Sequence, residues 1–320
     1  MDAVREIADA VLYEGYVLWP YRRSALKNTR RFTFGGVYPP AHSGAHPDDA
    51  ASMQTQVLVE GGPGARADVR VRFLQVVRRQ LFRDGAPVDE LTAGGTRYVS
   101  WEEAREREVA AVSMLGAPVR VPIAIPAGRD EEALDEGSIV RTWHALEGGV
   151  TVATEPVADG VHRLTVRIEN RTPFTGATRE DALERTFCST HTILRARNAA
   201  LVSATDPPEA LRAAVEACRN EGAWPVLVGE PGERHTMLSS PIILEEYPRV
   251  APESPGDLFD GGEIDQLLTL NILTLTDEEK EEMRASDPRA REILDRTEAL
   301  SEQELMRLHG AIRDLRVVRP

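Results

Sequence analysis

The sequence predicts an α+β fold. An antiparallel, β-sandwich-like central body is expected, with an aromatic N-terminal segment and a C-terminal helical region. Three observations carry this. Between residues 50 and 250, runs such as MQTQVLVE, ADVRVRFLQVV and VHRLTVRIEN alternate apolar and polar residues, the period of half-buried strands. Regular helical crossovers do not separate these runs, which favours antiparallel pairing. Beyond residue 250 the pattern changes to apolar positions three and four apart with helix caps. The chain thus divides into an N-terminal helix and aromatic docking segment (1–49), a β-rich body (50–250) and an acidic helical region (251–320).

Residues 2–14 predict a short amphipathic helix with Val4, Ile7, Ala8, Val11 and Leu12 on one face, stopped by Gly15 and Pro20. In ADVRVRF, Val69, Val71 and Phe73 face one way and Arg70 and Arg72 the other. The glycine-rich EGGPGARAD (60–68) reads as a hairpin turn; it lacks both phosphate-loop and dinucleotide spacings. SWEEAREREVAAVSML predicts a helix with Ser100 and Glu103 as a capping box. Further strands are expected at VRVPIAIP, SIVRTWHAL, GVTVATEPV, VHRLTVRIEN and ERTFCSTHTILRAR, with Ala158-Asp159-Gly160 as a hairpin turn. Asp206 and Pro207 open a helix over 207–221 that ends at Gly222. WPVLVG and TMLSSPIILEEYP are again strands. APESPGDLFDGG is a linker, and four helices follow: EIDQLLTLNILTL, then others opened by Thr276 with Glu279, by Asp287-Pro288, and by Ser301 with Glu304. They are expected to pack through Leu267, Leu268, Leu270, Ile272, Leu273, Ile293, Leu294, Leu305 and Leu308.

Net charge is −14, which argues against a nucleic-acid partner. Residues 245–304 hold eighteen acids against six bases, so most of that charge sits there, as a solvated helical face or a surface for a basic partner. Two cysteines in 320 residues make no disulfide framework, which points to a reducing compartment. No apolar run approaches the ~20 residues of a membrane span, and acidic residues stand where a signal peptide would be basic. A cytoplasmic location is expected, with no membrane span.

Seven of the seventeen aromatics lie in the first forty residues, interleaved with arginines. Tyr16, Trp19, Tyr21, Arg22, Arg23 and Phe34 are the expected partner-binding residues, because aromatic and arginine side chains dominate docking surfaces. No catalytic residue is expected. Cys188 and His191 form C-x-x-H, and with Cys218 and His235 they are the candidate metal ligands. The spacing weighs against them, since residues three apart on a strand point to opposite faces. The same argument weighs against a Cys188–His191 nucleophilic pair. His42 and His46 beside Asp48 and Asp49 have no third spaced ligand and read as a polar loop. The acids of DLFDGGEID lack calcium-loop spacing. No cofactor is expected.

Two stretches, LYEGYVLWPYRRSALKNTRRFTFGGVYPP and the region from TMLSSPIILEEYP to DPRAREILDR, resemble an uncharacterised actinobacterial protein family associated with nickel–iron hydrogenase gene clusters. The resemblance spans a quarter to a third of the chain. It implies a non-enzymatic accessory, assembly or scaffold role, with hydrogenase subunits or maturation factors as protein partners. It carries no catalytic residues with it. The alternative left open is a metallochaperone or a Cys/His-dependent enzyme using Cys188, His191, Cys218 and His235.

Overall fold

Strand β1, Ser52–Arg83, runs for 32 residues, and the sheet is built on it. The structure is a computed structural model that describes residues 3–13, 34–248, 272–286 and 288–300. The first part of β1 pairs with β10 (Val161–Asn170), from Ser52 opposite Glu169 to Glu60 opposite Val161. Past a register shift between Gly61 and Arg66 it pairs with both β11 (Cys188–Leu201) and β5 (Trp101–Met114). Its end pairs with β8 (Gly137–Trp143) and with β2 (Ala86–Val88). The β1–β2 turn is Asp84-Gly85, with positive φ at both residues, the geometry a tight two-residue hairpin requires.

The remaining strands extend this frame. β9 (Leu146–Ala158) joins β10, and β6 (Val119–Ile125) joins β9. β13 (Thr236–Ser240) joins β11, and β12 (Trp224–Leu227) joins β13. β7 (Gly128–Leu134) joins β8. Among the described residues this makes one eleven-stranded antiparallel sheet that does not close, plus a two-stranded ribbon of β3 (Glu90–Ala93) and β4 (Thr96–Val99). The α+β class stands, with strand dominant. The main core lies on one face. Val57, Val59, Val69, Val71 and Phe73 of β1 meet Ala111, Ile123, Val150, Val152, Leu164, Val166, Ile168 and Leu194 from five other strands. At its centre the Phe73 and Phe187 rings stack at 4.7 Å.

Helix α1, Ala3–Tyr13, lies where its apolar period puts it. Val4, Ile7, Ala8 and Val11 pack on Ile193, Val226, Val228 and Leu238. Leu12 and Tyr13 reach a second cluster with Leu74, Val76 and Cys188. Three short helices sit on loops: α2 (Pro40–Ser43), α3 (Arg179–Leu183) and α4 (Arg212–Glu216). Two more follow near the C-terminus, α5 (Asp277–Ser286) and α6 (Pro288–Glu298). The α5 capping box forms as expected: Glu279 N–H donates to Thr276 Oγ1 and Thr276 N–H to Glu279 Oε2. Ile272, Met283, Ala290, Ile293 and Leu294 then join the second cluster. Of the expected helix over EIDQLLTLNILTL, only the end is within the described residues, with Ile272 and Leu273 helical. Leu267, Leu268, Leu270, Leu305 and Leu308 lie outside them.

Three expectations are corrected. SWEEAREREVAAVSML is not a helix but β5, paired with β1 from Trp101 opposite Arg79 to Met114 opposite Arg66. Its charges answer those of β1 across the pair, which overrides helix propensity. Ser100 Oγ donates to the Val88 carbonyl, and Glu103 accepts from Arg79 and Arg141, so the expected cap residues do other jobs. EGGPGARAD is not a hairpin turn either. It is a bulge inside β1 with Gly64 at φ +84°, and such an insertion bends the strand and adds twist. The helix expected over 207–221 is a 3₁₀ turn at Glu209–Leu211 followed by the five-residue α4. The Ala158-Asp159-Gly160 turn does connect β9 to β10, with Gly160 at φ +67°.

One buried cation joins the sheet to the C-terminal helices. Arg79 is 5% exposed. It donates to the Val99 carbonyl at 2.7 and 3.0 Å, to Glu103 Oε1 at 2.9 Å and to the Ala285 carbonyl at 2.7 Å. Removing it takes one of two arginine partners from the largely buried Glu103 and the arginine donor from the Ala285 carbonyl of α5. Arg79→Met is expected to cost about 3–5 kcal/mol in urea unfolding and to open residues 272–300 to proteolysis. Unchanged digestion there would show that α5 docks without it.

Candidate functional site

The outer face of the sheet, opposite the main core, carries an arginine array. Strand alternation puts Arg66, Arg70 and Arg72 of β1 on this face, with Arg195 and Arg197 of β11 and Glu106 and Glu108 of β5. Helix α1 crosses part of it. Arg72, expected to face away from the core, does so and is nonetheless buried at 2% exposure. Its Nη2 meets Asp9 Oδ1 of α1 at 2.5 Å and Glu106 Oε2 at 3.3 Å, and its Nε lies 3.9 Å from Glu108 Oε2. Tyr13 donates to Glu106 Oε1 at 2.9 Å. Three carboxylates and one helix are thus tied to a single guanidinium. Nearby, Arg70 Nη1 bonds Glu108 Oε1 at 2.5 Å, and Arg197 Nε bonds Asp68 Oδ2 at 2.6 Å. Beyond α1 the face is open, and two apolar side chains of β5 stand on it: Val112 at 55% exposure and Met114 at 48%. Met114, Gly64, Arg66, Ala196, Arg197 and Asn198 line a cavity of about 480 Å³.

A β-bulge brings Cys188 and His191 to this same face. Leu74 is opposite Cys188 and Arg72 opposite His191, with Ser189 at φ +51°. Partners across an antiparallel pair share a face. The rule that residues three apart diverge therefore fails here, because β11 holds one residue more than β1. His191 is fully buried. Its Nδ1 donates to the Ser189 carbonyl at 3.2 Å, which leaves Nε2 as the bare nitrogen, with no hydrogen-bond partner among the described residues. Burial first, and the adjacent Arg72 cation second, push its pKa down to about 3. Cys188 packs with Leu12, Tyr38 and Leu74. Cys218 sits elsewhere, with Leu58, Val161 and Leu211, and burial raises its thiol pKa. His235 is exposed just before β13. Among the described residues, no three His, Cys, Asp or Glu side chains group so as to hold a metal ion.

A second polar cluster ties the loop at 38–49 to α3. His42 Nε2 and Asp49 Oδ2 are 2.8 Å apart, and Arg179 Nε donates to the same oxygen at 3.2 Å. Arg179 Nη2 also donates to Tyr38 Oη. His42 stacks on Tyr38 and meets Phe174 edge-on. Burial would raise the Asp49 pKa, but hydrogen bonds from His42 and Arg179 outweigh it and hold the carboxyl below its usual value. Burial raises the Tyr38 pKa, so its phenol stays neutral. The cluster is a clamp of mutually satisfied groups, and it explains His42 without a ligand. Of the expected partner-binding residues, Phe34 is exposed, whereas Tyr16, Trp19, Tyr21, Arg22 and Arg23 lie outside the described residues.

The arginine array was not singled out from the sequence, although its signal was there. RVR at 70–72 and RAR at 195–197 each put two arginines on one strand face. Compared with models of protein families and with curated proteins, the chain matches none.

Two outcomes test this arrangement. An unfolded imidazole titrates near 6.5 and the His191 imidazole near 3. Its contribution to stability is therefore fully present above about pH 6.5 and is lost as pH falls towards 3, at about 1.4 kcal/mol per pH unit for one proton. His191→Gln should flatten the stability–pH curve between pH 6.5 and 5, above the carboxylate range; a slope there equal to the parent's would refute the assignment. For the clamp, Asp49→Ala removes the carboxylate that His42 and Arg179 share, and about 1–3 kcal/mol of stability should be lost in denaturant titration.

Proposed function

We propose that the protein is a non-enzymatic accessory protein that docks a protein partner. The setting we propose is the assembly or scaffolding of a nickel–iron hydrogenase, with hydrogenase subunits or maturation factors as partners, in the cytoplasm. The observation that carries the docking reading is the exposed Val112–Met114 pair on the open outer face. Neighbouring apolar side chains left in water beside arginines are the composition of an interface centre. The surrounding charge supports a partner of defined chemistry. Arg66, Arg70, Arg195 and Arg197 stand there beside Asp68 and Glu108, a cluster of arginines on a chain of net charge −14. The fitting partner surface is apolar at its centre and acidic at its rim. The hydrogenase setting is supported only by the sequence resemblance of the N- and C-terminal stretches. The aromatic segment with Tyr16, Trp19, Tyr21, Arg22, Arg23 and Phe34 is a second part of the proposed docking surface. We further infer that the curled sheet packs sandwich-like around its core, since β6 and β9 supply residues to the same cluster as β5 and β11.

The test is a comparison in the source organism. The tagged chain and a Val112→Asp/Met114→Asp variant are expressed at native level, and co-purifying proteins are quantified by mass spectrometry. Hydrogenase subunits or maturation factors should accompany the parent and fall at least tenfold with the variant. Both positions are about half exposed, so the variant's unfolding midpoint should stay close to the parent's. A partner set unrelated to hydrogenases would overturn the setting. A set unchanged in the variant would overturn the docking face.

A further inference from the structure

Between the first turns of α1 and the outer face of the sheet lies a cavity of about 130 Å³ lined by Arg5, Arg70, Arg72, Arg195, Glu108 and Ile193. Four arginines line a space too small for an organic cofactor, whose sites run to roughly 300–1,000 Å³. Glu108 is the one acid among these lining residues, and Asp9 and Glu106 hold Arg72 from other sides.

Arg72 is the fixed point. It is 2% exposed, and its Nη2 and Nε are engaged by Asp9, Glu106 and Glu108. Its Nη1 is buried and has no hydrogen-bond partner among the described residues. A buried N–H on a cation left without an acceptor costs about 1–3 kcal/mol or more. An oxyanion in the cavity supplies that acceptor. Arginine suits the task, because Nη1 carries N–H donors whose hydrogen bonds to an anion are charge-assisted. The carboxylates around Arg72 hold it in one orientation beforehand, so little ordering is left to do on binding.

We propose that this cavity binds a single phosphate-type oxyanion. Arg72 forms its floor, Arg70 and Arg195 flank it from neighbouring strands, and Arg5 covers it from α1. The bound anion links α1 to β1 and β11 and so favours the docked helix. This site is independent of the docking reading: a chain with no protein partner would still show it.

Thermal unfolding of the full chain in phosphate, sulfate, acetate and chloride at matched ionic strength is the test, with isothermal titration calorimetry using inorganic phosphate. Phosphate should raise the unfolding temperature in a saturating, concentration-dependent way, as a ligand of the folded state does, and chloride should not. Arg72→Met risks unfolding, so Arg5→Ala and Arg195→Ala carry the test. Each should weaken phosphate binding about tenfold or more, whereas Arg234→Ala, whose arginine pairs with Glu60 elsewhere, should leave it unchanged. Phosphoserine binding more tightly than inorganic phosphate would keep the site and assign its anion to a larger ligand. No phosphate-specific stabilisation, equal stabilisation by acetate, or binding that survives both Arg5→Ala and Arg195→Ala would overturn the proposal.

Discussion

One continuous strand sets the geometry of everything described. β1 pairs with β10, β11, β5, β8 and β2 along its 32 residues. Strand alternation has a period of two, so a slip of one residue in β1 would turn its own apolar set away from the core it shares with its partners. The register is held by inward Val57, Val59, Val69, Val71 and Phe73 against one core. The bulge at Gly61–Arg66 is what lets a single strand serve both parts of the sheet. It bends the strand where pairing with β10 gives way to pairing with β5, while β11 continues along the other edge.

The polar side of β1 is as specific as the apolar side. Arg72 and Arg79 are both buried, and each reaches a helix that lies outside the sheet: Arg72 through Asp9 of α1, Arg79 through the Ala285 carbonyl of α5. A buried ion pair contributes little net stability compared with a well-packed apolar substitute, because two charges must leave water. Its directional demand is greater than that of a leucine. A guanidinium accepts one arrangement of carboxylates and carbonyls. The helices that cover β1 are thereby placed by hydrogen bonds, and the apolar clusters supply the burial energy.

Much of this was legible in the sequence. The α1 face, the alternation of Val69, Val71 and Phe73, the Gly160 hairpin and the Thr276–Glu279 cap follow from local pattern, and each is in place. What could not be read depended on partners distant in the chain. Glu102 to Glu108 carry good helix formers, and their strand state is decided by β1, some thirty residues earlier. The Ser100–Glu103 spacing matched a cap, yet Glu103 is drawn to Arg79 and Arg141. His191 was misjudged for a related reason. Its facing depends on the extra residue at the β11 bulge, which has no spacing signature. The arginine cavity was invisible because its residues come from α1, β1, β5 and β11.

That same distribution argues for the cavity as a made feature of the fold. Arginines scattered on a surface keep their heads in water, and Arg66 and Arg197 do so around Asp68 at about half exposure. Arg72 does not. It lies under α1 with three carboxylates within 4 Å, and even they leave its Nη1 without an acceptor. The adjacent His191 imidazole stays neutral at physiological pH, so it adds no charge to the array while filling space beside it. A buried guanidinium N–H without an acceptor, beside a small cavity lined by further arginines, is the property that a bound oxyanion would complete.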